Sequence, residues 1–175
     1  MRRNTQIAIG AVLYMLTAAS ARSQSVTAID FPGAAQTRPN GVSPTGDIVG
    51  FYSPKPGLTR GFLLSEGVFS DIFVPGSSQT TPSGINARGE IVGFYTDATG
   101  THGFLLNKKG TFSAIDVPGA LRSLVNDINE HGDMVGSYVD AANKSHMFLL
   151  SSGVLFMAFS STRAATRPSI SRTRI

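Results

Sequence analysis

Three positions at regular spacing carry side chains able to hold an anion, a metal or a proton: Arg60, His102 and His146. Each opens a short apolar segment, Arg60-Gly61-Phe62-Leu63-Leu64, His102-Gly103-Phe104-Leu105-Leu106 and His146-Met147-Phe148-Leu149-Leu150. Two neutral imidazoles with nearby carboxylates would suit zinc or a similar metal. Arg60 at the third place argues against that, since a guanidinium has no lone pair to donate. Asp97 and Asp140 come after a strongly apolar stretch in successive copies and could touch a cation. They lack the dense Asp, Asn and Gly spacing of a calcium loop. Asp30 and Asp116 are aligned, but Phe73 takes the same place between them. No His-Glu-x-x-His or Gly-x-Ser-x-Gly occurs, and without cysteine there is no thiolate nucleophile, disulfide or Cys-based zinc site. The residues therefore supply no catalytic set and imply no cofactor. Arg60, His102, His146, Asp97 and Asp140 stand as candidate ligand-facing positions. On a ring of repeats they could converge on a central channel; the competing expectation is that each bonds within its own repeat.

The elements that position these residues recur. Pro32-Gly33, Pro75-Gly76 and Pro118-Gly119 are separated by a step of 43 residues, and Gly46, Gly89 and Gly132 keep the same step. So do Gly50, Gly93 and Gly136, and Gly67, Gly110 and Gly153. The Phe-Leu-Leu segment drifts by one residue and then recovers, as a one-residue change in a loop would cause. A period in this range points to propeller blades or stacked arrays.

Each unit has four apolar stretches of strand length, rich in Val, Ile, Phe, Tyr and Thr and bounded by Gly, Pro, Asn and Asp. In the second copy they are Val68 to Val74, Gln79 to Ile85, Glu90 to Thr96 and His102 to Leu106. No stretch keeps a helical period. The turn before the third stretch reads Ser43-Pro44-Thr45-Gly46, Asn86-Ala87-Arg88-Gly89 and Asn129-Glu130-His131-Gly132. A side-chain acceptor opens it and Gly takes the left-handed place that closes a hairpin, so these positions read as folding signals, with His131 exposed in its turn. The third stretch itself, Ile48-Val49-Gly50-Phe51-Tyr52 and its copies, is apolar on both faces and belongs inside stacked sheets. Its central glycine implies close approach by a neighbouring backbone or ring, and Tyr52, Tyr95 and Tyr138 read as interior packing with bonded hydroxyls.

The expected fold is all-β. It has three four-stranded repeats, at approximately 25–67, 68–110 and 111–153, forming propeller-type blades of an incomplete or open propeller. A β-trefoil-like closure is the alternative. The pattern Ile-Asn-x-x-Gly-x-Ile-Val-Gly-x-Tyr, then His-x-Phe-Leu, then Ile-Asp-x-Pro-Gly-Ala resembles the HAF-repeat family of predicted bacterial extracellular proteins. Arg60-Gly61-Phe62 and Ile72-Phe73-Val74-Pro75 depart from it. The resemblance covers Val26 to about Val154 and implies propeller-like blades and export, with no activity attached.

Met1-Arg2-Arg3, the apolar run from Ile7 to Ala19 and Ala19-Ser20-Ala21 have the layout of a secretory signal peptide, assigned to residues 1–21. Secreted, periplasmic or cell-surface placement would result, with no transmembrane segment after cleavage. The formal charge of +4 misleads about partners. Six basic residues lie in the leader and the last thirteen residues, so between Arg22 and Thr162 nine basic residues face eleven acids. Nucleic acid is not an expected partner. Residues 154–175 read as the start of a fourth repeat and then a disordered basic tail, as in a truncated propeller. The expected function is an exported, non-catalytic binding or surface-scaffold module for a glycan or protein ligand, with specificity in the loops Ser53 to Gly57 and Asp140 to Lys144. Open blade edges would favour self-association. A secreted carbohydrate-active enzyme and a glycan-binding, lectin-like module are the alternatives.

Overall fold

A computed structural model describes residues 25–151, with the backbone of 154–158 and 170–174. The expected signal peptide lies outside the described residues. The described residues contain no helix; they form strands joined by short turns. The first blade comprises β1 (Gln36–Val42), β2 (Ile48–Lys55), β3 (Leu58–Ser65) and β4 (Val68–Ile72). The second comprises β5 (Gln79–Ile85), β6 (Ile91–Thr96), β7 (Thr101–Leu106) and β8 (Phe112–Ile115). The third comprises β9 (Arg122–Ile128), β10 (Met134–Val139), β11 (Ser145–Ser151) and β12 (Val154–Ala158). Each blade is an antiparallel meander, and single parallel bridges, Thr59 to Gln79 and Thr101 to Arg122, link one blade to the next.

This is an all-β, open array of propeller-type blades that runs from β1 at one end to the third blade at the other without closing. The trefoil-like alternative does not describe it, because each repeat is one four-stranded sheet stacked on its neighbour. The blades keep the expected period in a different phase. Val68 to Ile72, expected from the sequence to open the second unit, pairs with β3 and ends the first blade. Val154 to Ala158, read as the opening of a fourth unit, pairs with β11 and ends the third. The tail was expected to be without structure, yet Ile170–Arg174 forms a further strand, β13, antiparallel to β12. An unpaired edge presents a row of N–H and C=O groups, and an extended segment satisfies them whatever its charge.

Local chemistry explains the strands' register. The Asn86 side-chain oxygen accepts the backbone N–H of Arg88 and Glu90, and Asn129 does the same for His131 and Asp133. Gly46, Gly89 and Gly132 have φ of 91°, 75° and 87°, the left-handed conformation that glycine adopts without penalty. A second device recurs at the connectors. The N–H groups of Phe31, Val74 and Val117 donate to the hydroxyls of Thr37, Thr80 and Ser123, fastening each Pro-Gly turn to the next inner strand.

The core lies between the blades. Val49, Ile72, Ile85, Ile91 and Phe104 fill the first interface; Val92, Val117, Val125, Ile128, Met134 and Phe148 fill the second. Val49 and Val92 are fully buried, a burial worth about 1.5–3 kcal/mol each. The inner strands β1, β5 and β9 lie side by side. Asn40 donates to the carbonyl of Pro82, and Ser83 to that of Val125, across the two interfaces.

Candidate functional site

The strand-two tyrosine and the Arg or His opposite it on the third strand set the polar end of every blade. The register pairs Tyr52 with Arg60, Tyr95 with His102 and Tyr138 with His146. In the second and third blades the rings stack, with centroids 5.2 Å and 4.9 Å apart. In the first, Phe31 stacks on Tyr52 at 3.7 Å, and Arg60 lies over Phe73 at 4.3 Å. Tyr52 and Tyr138 are buried, and Tyr95 is half-buried. All three phenols are pushed above their ordinary range, chiefly by burial. Tyr52 reaches about 12, because its hydroxyl also donates to Asp71 at 2.9 Å.

Each candidate cation is bonded to an acid of its own blade. The Arg60 guanidinium meets Asp71 at 2.6 Å. His102 Nδ1 lies 3.0 Å from Asp116, and its Nε2 lies 2.9 Å from the Thr99 hydroxyl. His146 Nε2 lies 2.9 Å from Asp140. Asp97 and Asp140 hold their own turns together. Asp97 accepts from the N–H and hydroxyl of Thr99 and from the N–H of Gly100. Those bonds, the Thr99 hydroxyl first, hold its carboxyl below the usual carboxylate range. Asp140 accepts the Lys144 N–H, which lowers its carboxyl more than His146 does.

The five sequence candidates therefore form three separate clusters, one per blade. They sit on third strands and the adjoining turns, and each is bonded within its own blade. Among the described residues, no group of three or more His, Cys, Asp or Glu is placed to hold a metal ion. Two further acids complete the clusters: Asp71, which the sequence did not single out, and Asp116, set aside there because Phe73 takes its place in another copy. Phe73 and Asp116 occupy equivalent places. Where Phe replaces the acid, Arg replaces His and reaches Asp71 instead, two residues earlier. His102 and Asp116 also line a shallow recess of about 280 Å³ with the connector Val117 to Arg122. Of the two expected specificity loops, Asp140 to Lys144 is a turn, whereas Ser53 to Lys55 continues β2 and only Pro56 and Gly57 remain outside the strands. The β2 strand runs on across an irregularity after Tyr52, resuming its pairing where Lys55 lies opposite Leu58.

A larger depression lies between the first and second blades toward their opposite end, and Asp71 of the first-blade cluster reaches its wall. It measures about 820 Å³, and its floor includes Leu63, Ile72, Ile85 and Ile91. Its rim is polar, with Asp47 and Ser65 from the first blade facing Asn107 and Lys108 from the second. Hydrogen bonds from Ser65 and Thr45 hold the Asp47 carboxyl below the usual range, with a further contribution from the Lys108 ammonium. Sequence reading did not find this groove, because it is built from turns of two blades and depends on their spacing.

No family model matches the chain, and no curated protein matches it. Among solved structures, it is similar to a streptogramin B lyase at 16% identity and a TM-score of 0.35, covering 77% of this chain and 53% of that one. It is also similar to virginiamycin B lyase from Staphylococcus aureus at 11% identity and a TM-score of 0.32, covering 77% of this chain and 54% of that one. The chain thus spans about half the length of each of these structures.

Proposed function

We propose that the chain is an exported, non-catalytic binding or surface-scaffold module whose ligand seats in the groove between the first and second blades. The observation that carries this is the division of labour between the two ends. At one end the Arg, His and Asp side chains are bonded to one another within each blade. At the other, an apolar floor with a polar rim forms a groove of ligand size. The leader-like segment Met1 to Ala21 supports export, and the charge balance of the repeats favours a neutral or weakly charged ligand, a glycan or a protein segment. The test is binding of the purified chain to glycan and peptide panels. Saturable binding weakened about tenfold by Lys108→Glu, with the fold retained by circular dichroism, is expected. Flat binding on both panels would refute the reading.

The recess beside His102 favours one second reading, a carbohydrate-active enzyme using the His102 and Asp116 pair as proton carrier. It requires turnover of a polysaccharide, abolished by Asp116→Asn. Finding that turnover would replace the non-catalytic reading.

A further inference from the structure

The third blade departs from the first two at the positions where another blade would rest. Val49 pairs with Leu63, Val92 with Leu105 and Val135 with Leu149, so these three pairs are equivalent. Val49 and Val92 are fully buried by the next blade, whereas Val135 is 46% exposed and Leu149 40%. At the other end of the array, Val42 is 66% exposed, while its equivalents Ile85 and Ile128 are both at 7%. One end thus bares the apolar surface that its interior copies cover, and the other bares the surface that does the covering. A second copy would satisfy both.

Two side chains stand in the way. Gly61, Gly103 and Met147 are equivalent, opposite Phe51, Phe94 and Ser137. A Cβ at Gly61 would lie 2.5 Å from the Pro82 ring of the next blade, and one at Gly103 would lie 2.7 Å from the Ile115 carbonyl of its own blade and 2.9 Å from Val125 of the next. Neither spacing admits a side chain, yet the third blade has methionine there, 71% exposed. Gly41 and Gly84 likewise give way to Asp127 at the same step. A Cβ at Gly41 would lie 3.1 Å from the Ser83 carbonyl, and one at Gly84 3.1 Å from the Asp127 backbone. Asp127 brings a Cβ to that contact, while its carboxylate oxygen turns back toward Gly84 and accepts the Ile128 N–H.

We infer that Met147 and Asp127 block stacking of the third blade against the first blade of a second copy. The array therefore does not propagate end to end through its blade faces. The test is sedimentation velocity on the purified chain and on the Asp127→Gly, Met147→Gly double variant. The natural chain is expected at single-chain mass, and the folded double variant is expected to associate at least tenfold more tightly, with Val42→Asp reversing it. A folded double variant that stays at single-chain mass overturns the inference. So does a natural chain whose association is abolished by Val135→Asp. If the double variant does not fold, Gly61→Met decides, because the nearest atoms to a Cβ there belong to the next blade. A large drop in melting temperature is expected, and a melting temperature equal to that of the natural chain overturns the inference.

Discussion

Adding a single methyl group at Gly93 should cost more than any comparable surface change. A Cβ there would sit well under 3.0 Å from the Thr81 carbonyl, 2.8 Å from the Pro82 Cα and 2.9 Å from the Phe104 ring. The register of β5 shifts between Pro82 and Gly84, and this bulge presses the carbonyl against β6. Neither side can yield, since one is backbone in a sheet and the other is a fully buried ring. Overpacking of this kind costs about 1–3 kcal/mol, and two rigid neighbours put Gly93→Ala at the upper end. A loss of about 3 kcal/mol is a roughly hundredfold change in the folded-to-unfolded ratio. In urea it appears as a midpoint lowered by about 1–3 M at unchanged slope. Gly50→Ala and Gly136→Ala meet the same carbonyl, of Arg38 and Leu124, and should behave alike. Gly46→Ala, with nothing within 4 Å but φ at 91°, should lose only the left-handed penalty of about 1–2 kcal/mol. If Gly93→Ala unfolds within about 0.5 kcal/mol of the natural chain, the strands are not packed as described.

Asn86→Ala should destabilise the chain by about 3 kcal/mol, measured by chemical unfolding, because the buried amide serves Arg88, Glu90 and the Asn129 carbonyl of the next blade. Tyr52 ionises near 12 when folded and near 10 when unfolded. Its contribution is therefore complete below pH 10 and lost as pH rises toward 12, by at most about 3 kcal/mol. Tyr52→Phe should flatten the alkaline limb of a pH-dependent melting curve. The carboxyls of Asp97, Asp133 and Asp140 are held low, the first two chiefly by hydroxyls of Thr99 and Ser151 and the third by the Lys144 N–H. Their contribution is present above the ordinary carboxylate value of about 4 and lost as pH falls below it. Melting temperature should drop on that limb, less steeply in Thr99→Val.

Much of the architecture was legible because it is local. The turn acceptors Asn86 and Asn129, the left-handed glycines and the crowded mid-strand glycines each state a backbone requirement within a few residues. The phase of the repeat was not legible. Val68 to Ile72 has the composition of a strand, but composition does not say whether its partner is β3 behind it or β5 ahead. The polar clusters were half legible. Arg60, His102 and His146 stood out by their spacing, but Asp71 reaches Arg60 and Tyr52 only once β3 and β4 pair. The expectation for Tyr52 agrees with the structure, since its hydroxyl is bonded and its ring is buried. The groove joins turns more than forty residues apart in sequence. β13 carries no flanking turn signal and is a strand only because β12 offers it an edge.

The most direct test of the binding reading places the two ends of the blades in competition. Once a ligand is found on the panels, its affinity should be measured by calorimetry for Lys108→Glu, at the groove, and for His102→Ala, at the paired end. The account predicts about a tenfold loss for the first and an unchanged affinity for the second, with the His102 variant showing only a lower melting temperature. Loss of binding in His102→Ala with full affinity in Lys108→Glu would contradict it and move the site to the other end of the blades.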